Sequence, residues 1–265
     1  MGHQLYRHAC SLREAREAAL ALVDNRLAKP SGPLCIVCPV VLAEALIGEA
    51  AIEYAVKFPD VQLTFDVVSS LPNVMPEHYD ITFVPSYGSL PNSEMIARRI
   101  LRTPYTLAAS PHCMEQMGMI EHWKDLQNRP GIGWWQGSTK PNWSLIDERG
   151  EQVELSIRPT FLTNNLRIAR SAALAGLGMV RLPLALCADD LDAGTLVEVL
   201  PGLTPRPIII HVAYPSRRSL NAAGRAFLSL LDQQSPNQFR EFSDLASPAV
   251  SESMPASARK RRRTQ

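Results

Sequence analysis

Apolar positions along the chain fall into short clusters whose spacing changes along its length. Residues 4–28 contain no Gly or Pro and are rich in Ala, Leu, Arg and Glu, which favour helix. Leu5, Leu12 and Ala19 recur at heptad spacing, with His8, Ala15 and Leu22 between them. That seam suits pairing with another helix, or packing as an amphipathic surface helix. Lys29-Pro30-Ser31-Gly32-Pro33 breaks it and reads as a linker. Beyond the break, strand-like and helix-like patterns alternate. Leu34–Val40 is a short β-branched run, hence a buried strand, and Leu42–Lys57 has helical spacing and stops before Pro59. Val61–Val68 alternates along one face, and Ile81–Val84 is another short strand. This order predicts an α/β fold, a parallel sheet with helices on its faces.

The second half is less regular. Met95–Ala109 is broken only by Pro104, and Cys113–Met117 reads as a short helix. Trp134–Trp135 and Val153–Ile157 are strand candidates. Asn164-Asn165 precede an Ala-rich helix, Leu166–Ala175, which Gly176 closes. The pattern then predicts a strand at Gly178–Leu182, a helix at Leu184–Ala188 and strands at Leu196–Leu200 and Pro207–Tyr214. A last amphipathic helix follows at Leu220–Gln233. From Ser235 to Gln265 the polar, Pro-containing composition predicts disorder.

A length of 265 residues fits two domains or one large one. Lys and Arg total 27 against 26 Asp and Glu, but residues 259–263 read Arg-Lys-Arg-Arg-Arg. Without that run, 22 basic residues face 26 acidic ones, so the body is mildly acidic and is no general nucleic-acid-coating surface. The tail itself is either a phosphate-contacting arm or a plain solvated terminus. No apolar run reaches membrane-span length, and charged residues across 3–17 leave no signal-peptide core. No membrane association is therefore expected, and the cytoplasm is the expected location. Five scattered cysteines are not a disulfide framework.

Candidate chemistry is sparse. Cys35-Ile-Val-Cys38 lies in a strand, where residues three apart face opposite ways, and no second ligand pair follows at zinc spacing. His112-Cys113 has no orienting acid placed by the sequence. No nucleophile-elbow, zincin or P-loop pattern occurs. Gly176-Leu-Gly178 follows a helix rather than a strand and reads as a helix stop. No catalytic residue, metal or cofactor is expected. Ligands of open α/β sheets sit beyond the carboxyl ends of the strands, near helix N-termini. That places candidate ligand contacts at the Val41-Leu42 turn, Ser86, Ser110, Asn164 and Asn165, although each Ser or Asn could equally be a simple cap.

Several motifs in order carry a resemblance. They are the helical stretch Leu5–Lys29, Pro30-Ser31-Gly32-Pro33-Leu34, Phe58-Pro59-Asp60-Val61, Tyr79-Asp80-Ile81 and Ser89-Leu90-Pro91-Asn92-Ser93 with Ala97-Arg98-Arg99. Ala109-Ser110-Pro111, Ala173-Leu-Ala-Gly-Leu-Gly178, Leu182-Pro183, Leu191-Asp-Ala-Gly-Thr-Leu196 and Tyr214-Pro215-Ser216 before Arg225-Ala226-Phe227 follow. The chain from about Tyr6 to Leu231 resembles the effector-binding domain of LysR-type transcriptional regulators.

The resemblance implies a type-2 periplasmic-binding-protein fold, two Rossmann-like α/β subdomains joined by two crossing strands behind a linker helix. The implied division is 1–29 linker and dimerisation helix, 30–99 plus 213–234 subdomain I, 100–212 subdomain II, and 235–265 disordered basic tail. It also implies a small-molecule effector such as an organic acid in the inter-subdomain cleft, self-association as a dimer or tetramer, and no enzyme activity. The family's DNA-reading winged helix-turn-helix lies ahead of the linker helix, and Gly2–Tyr6 look like its end. DNA contact is thus expected only through a missing or partner winged helix-turn-helix. Val41 stands where the family often has a small hydroxyl residue, and Val84 lies near a frequent Arg. A stand-alone cytoplasmic solute-binding protein, or a dominant-negative dimerisation partner without its own DNA binding, fits the same residues.

Overall fold

The computed structural model describes residues 29–69, 78–88, 90, 95–134, 142–214 and 220–244, the side chains of the last helix only as far as 233. The expected linker helix and the Arg/Lys tail lie outside the described residues. β1 (Gly32–Pro39) starts directly after the Lys29–Ser31 break. It runs parallel to β2 (Val61–Val68) through eight pairs, from Gly32 opposite Val61 to Pro39 opposite Val68. β3 (Ile81–Ser86) pairs in parallel on its other side, with Ile36 opposite Ile81. Leu34, Ile36, Val37 and Cys38 of β1 are wholly buried, as expected of a central parallel strand covered on both faces.

The stretch expected as one helix, Leu42–Lys57, is instead a compound element. α1 (Val40–Leu42) leads through a π-helical turn, Ala43–Ile47, into α2 (Gly48–Lys57). A Cβ at Gly48 would lie 2.6 Å from the Ala43 carbonyl oxygen, so the wide turn sits where the chain has no side chain.

β4 (Ile96–Thr103) stops at Pro104, and β5 (Tyr105–Ala109) enters a different sheet. This is the first crossing. The first sheet has the order β2-β1-β3-β13-β4, where β13 (Ile208–Tyr214) runs antiparallel to both neighbours. Its Ile208 stands opposite Thr103, so the outgoing and returning strands cross side by side. The first sheet therefore holds residues 96–103 and 208–214. The last helix, α6 (Ala222–Asp244), closes this body rather than the one that precedes it in the chain. Phe227 packs edge-on against Tyr54 of α2, with centroids 5.3 Å apart, and the Tyr54 hydroxyl donates to the Ala223 carbonyl at 2.8 Å. α6 continues past Gln233, where the polar composition predicts its end.

Everything between the crossings forms the second body. α3 (Pro111–Met117) and a 3-10 turn, Trp123–Leu126, precede β6 (Pro130–Trp134), which extends back from the expected Trp134–Trp135 strand. β7 (Asn142–Ile146), β8 (Gln152–Ser156) and β9 (Arg158–Thr163) lead to α4 (Leu166–Leu174), β10 (Val180–Pro183) and α5 (Leu184–Asp192). β11 (Val197–Glu198) and β12 (Thr204–Pro205) complete it. The sheets are β10-β5-β11, β12-β7-β8 and the parallel pair β6-β9. One core gathers Leu107, Leu126, Trp143, Leu145, Leu155 and Met179. A second is made by Ala169, Ala172 and Ala173 of α4 against Ile132, Val180 and Leu182, and the small residues let helix and strands approach closely. The fold is α/β with mixed sheets, two bodies joined by two crossing strands.

Candidate functional site

The carboxyl ends of β1, β2 and β3 open on a cavity of about 650 Å³ between the two bodies. The first body contributes Pro39–Leu42, Val68-Ser69 and Val84–Tyr87. The crossings add Thr103, Tyr105, Ile208 and Ile210, and the second body supplies three short stretches and part of β10. Ligands of open α/β sheets are held at this position.

Five of the six residues singled out from sequence line this cavity: Val41, Leu42, Ser86, Asn164 and Asn165. Ser86 Oγ donates to the Gly88 carbonyl at 2.6 Å and lies 3.3 Å from His211 Nδ1. Asn165 is the N-cap of α4, its Oδ1 accepting from the backbone N–H groups of Arg167 and Ile168 at 2.9 and 3.1 Å. Its Nδ2 reaches across to Ser69 Oγ at 3.3 Å. Ser110 is not among the lining residues. It is buried and caps α3, its Oγ accepting from the Cys113 N–H at 3.3 Å.

Other cysteine and histidine features lie apart from the cleft chemistry. Burial pushes the Cys38 and Cys113 thiols above their ordinary range, which keeps both protonated. His112 Nε2 lies 2.9 Å from Gln116 Nε2 rather than addressing Cys113. Among the described residues no cluster of His, Cys, Asp or Glu could hold a metal ion.

The cavity wall also contains a polar group that the sequence did not single out. Arg181, on β10, donates to the Tyr87 hydroxyl, and its guanidinium lies 5.7 Å from the Tyr87 ring centre and 6.0 Å from that of Trp143. Arg206, in the returning crossing, donates to the Tyr87 carbonyl at 3.0 Å. Tyr105 stands nearby, its phenol held protonated by burial and by Tyr87, with Arg181 opposing weakly. Ser144 Oγ is buried without a hydrogen-bond partner among the described residues. The signal for Arg181 was a lone cation within the otherwise apolar run Gly178–Leu182, where a charge needs a reason.

Contacts also join the bodies across the cleft. Arg167 pairs with Glu44, and Asn165 with Ser69, so α4 is tied to the far wall at two points. Both groups of the ion pair are about half exposed, and such pairs contribute at most about 1 kcal/mol.

Residues 28–236 match the family model described as the LysR substrate binding domain. Among curated proteins, the chain is 27% identical over 168 residues to an HTH-type transcriptional regulator of Haemophilus influenzae, covering 63% of this chain and 57% of that one. It is 23% identical over 237 residues to the HTH-type transcriptional regulator CrgA of Neisseria meningitidis, covering 89% and 78%. The chain thus spans less than two thirds of the first of these relatives. The regulatory domain of AphB from Vibrio vulnificus superposes with a TM-score of 0.59 at 25% identity, covering 78% of this chain and all of that one. The CrgA regulatory domain gives 0.63 at 23% identity, covering 78% and 100%. Among the described residues no helix is long and apolar enough to cross a membrane.

Proposed function

The chain belongs to the LysR substrate-binding domain family, and on that premise we propose that it is the ligand-sensing part of a LysR-type transcriptional regulator. A small-molecule effector occupies the cleft and biases the arrangement of the two bodies, and the assembly passes that bias on to transcription. The observation that carries this reading is the cavity at the ends of three parallel strands, walled by a second body that meets the first, among the described residues, through Asn165–Ser69, Arg167–Glu44 and the contacts of Arg181 and Arg206 with Tyr87. A ligand touching both walls favours one arrangement over others by its differential contacts, which is the thermodynamic requirement for a sensor. Val41, Leu42, Ser86, Asn164 and Asn165 are its proposed contacts, and Ser110 is proposed to act only through the α3 cap. DNA contact is assigned to a winged helix-turn-helix module, and the site of action to the cytoplasm.

The face carrying Ile52 and Val56 on α2, 68% and 78% exposed and one turn apart, is the proposed self-association surface.

The cleft is tested by filling it. Val41 is only partly buried, so Val41→Trp projects bulk into the cavity without overpacking the core. A metabolite that stabilises the native chain, by about 2.7 kcal/mol at a hundredfold excess over Kd, is expected to leave the melting temperature of the variant unmoved. An equal shift in both places the ligand elsewhere.

A further inference from the structure

Tyr87 is gripped at two points by residues of the opposite body. It follows Ser86, the last residue of β3, and so belongs to the first body. Its hydroxyl accepts from Arg181 of β10, and its carbonyl accepts from Arg206 at 3.0 Å. Both arginines are fixed from their own side. The Arg181 guanidinium lies 5.7 Å from the centre of the Tyr87 ring and 6.0 Å from that of Trp143, which is buried in a core of the second body. Cation–π attraction therefore draws it toward both bodies at once. Arg206 stands between Pro205 and Pro207, which confine its backbone, and its N–H donates to the Ser144 carbonyl of β7 at 3.4 Å. Two residues further on, Ile208 of the returning strand meets Thr103 of the outgoing one. The grip thus sits beside the crossings, where the bodies turn relative to each other.

A single attachment there would be a pivot. Two attachments, one at the backbone of Tyr87 and one at the tip of its side chain, fix an angle instead, because a rotation that keeps one breaks the other. The contacts at α4 are of another kind. Arg167 and Glu44 are about half exposed, so water and salt screen their attraction, and Asn165 reaches Ser69 through one bond of 3.3 Å. Tyr87 and Arg181 both line the cavity, so an occupant of the cleft touches the grip itself.

We infer that Tyr87, clasped by Arg181 and Arg206, is a latch that holds the two bodies closed over the cleft without help from a ligand. Its regulatory meaning rests on the cleft being the ligand site, but its test needs no ligand. Amide hydrogen exchange, followed by mass spectrometry on the full chain, compares the cleft segments Val40–Leu42 and Asn165–Ala169 with the core strands β1 and β5. Tyr87→Ala is expected to speed exchange in the cleft segments about tenfold, the order of one lost hydrogen bond, and to leave the core strands unchanged. Arg206→Gln is expected to act in the same direction through the carbonyl. Tyr87→Phe, which keeps the ring under Arg181, is expected to act by a smaller factor, and these two carry the test if Tyr87→Ala does not fold. Cleft segments that exchange no faster in any of these variants overturn the latch. So does a rise spread equally over β1 and β5, which marks a general loss of stability rather than an opening. If the variants open the cleft and no metabolite binds it, the latch stands and only the ligand-sensing reading fails.

Discussion

Tyr54 shows how one side chain can hold two distant segments together. Its ring is wholly buried against Phe227, and its hydroxyl donates to a carbonyl of α6. Burial raises its pKa from 10.0 to about 12. Below pH 10 the phenol is protonated in folded and unfolded chains alike, and the contribution is complete. Between about 10 and 12 the unfolded chain releases the proton while the folded one keeps it, so stability falls as pH rises. The Cys187 thiol, pushed up to about 12 by burial, adds to the same alkaline loss from about pH 9. Tyr54→Phe is expected to cost about 1 kcal/mol at neutral pH for the lost hydrogen bond. The gap to the native chain narrows near pH 11, because the variant lacks this titration. Urea unfolding at both pH values checks it, and a constant gap would refute the titration. The residue scale also marks what a sequence can disclose. Asn165 was legible because a cap is a local device, set by residues two and three positions on. Arg181 was not, because its meaning depends on Tyr87 and Trp143, which are far away in the chain.

At the scale of elements, the parallel strands could be read because burial on both faces leaves a continuous apolar run. β4 could not. It is the edge of the first sheet, and Arg98, Arg99 and Arg102 interrupt its pattern while only Leu101 and Thr103 are buried. The Gly176-Leu-Gly178 pair was half legible. Gly176, with φ +81°, is the expected helix stop. Gly178 does something the chain could not announce: it lets the start of β10 approach β6. Ile132 N–H donates to the Met179 carbonyl at 2.7 Å and Met179 N–H to the Pro130 carbonyl at 3.0 Å, and a Cβ on Gly178 would lie 2.8 Å from the Pro130 backbone. With φ +153° the position is strained for any other residue. Gly178→Ala is expected to destabilise the chain by about 2 kcal/mol or more, since backbone must move and the floor of the cleft moves with it. Thermal unfolding checks it. A loss below about 0.5 kcal/mol would show that the two strands can separate freely.

At the scale of the molecule, the proposed assembly depends on α2, where Ile52 and Val56 face outward. Ile52→Asp with Val56→Asp leaves the buried side of α2, Ala50, Ala51 and Tyr54, untouched. The native chain is expected to sediment as a dimer, and the double variant to fold normally and sediment as a monomer. An unchanged sedimentation coefficient would move the interface elsewhere. The side-by-side crossing strands carry a different consequence, one about the order of synthesis. The second body is a single uninterrupted stretch between the crossings, whereas the first is split, with Leu34, Ile36 and Phe83 waiting for Val212 and Phe227. On a ribosome, the inner half of the molecule can complete its core while the outer half still exposes an open sheet. That sheet is sealed only after β13 and α6 emerge, so the proposed ligand cleft takes shape after the second body has built its core.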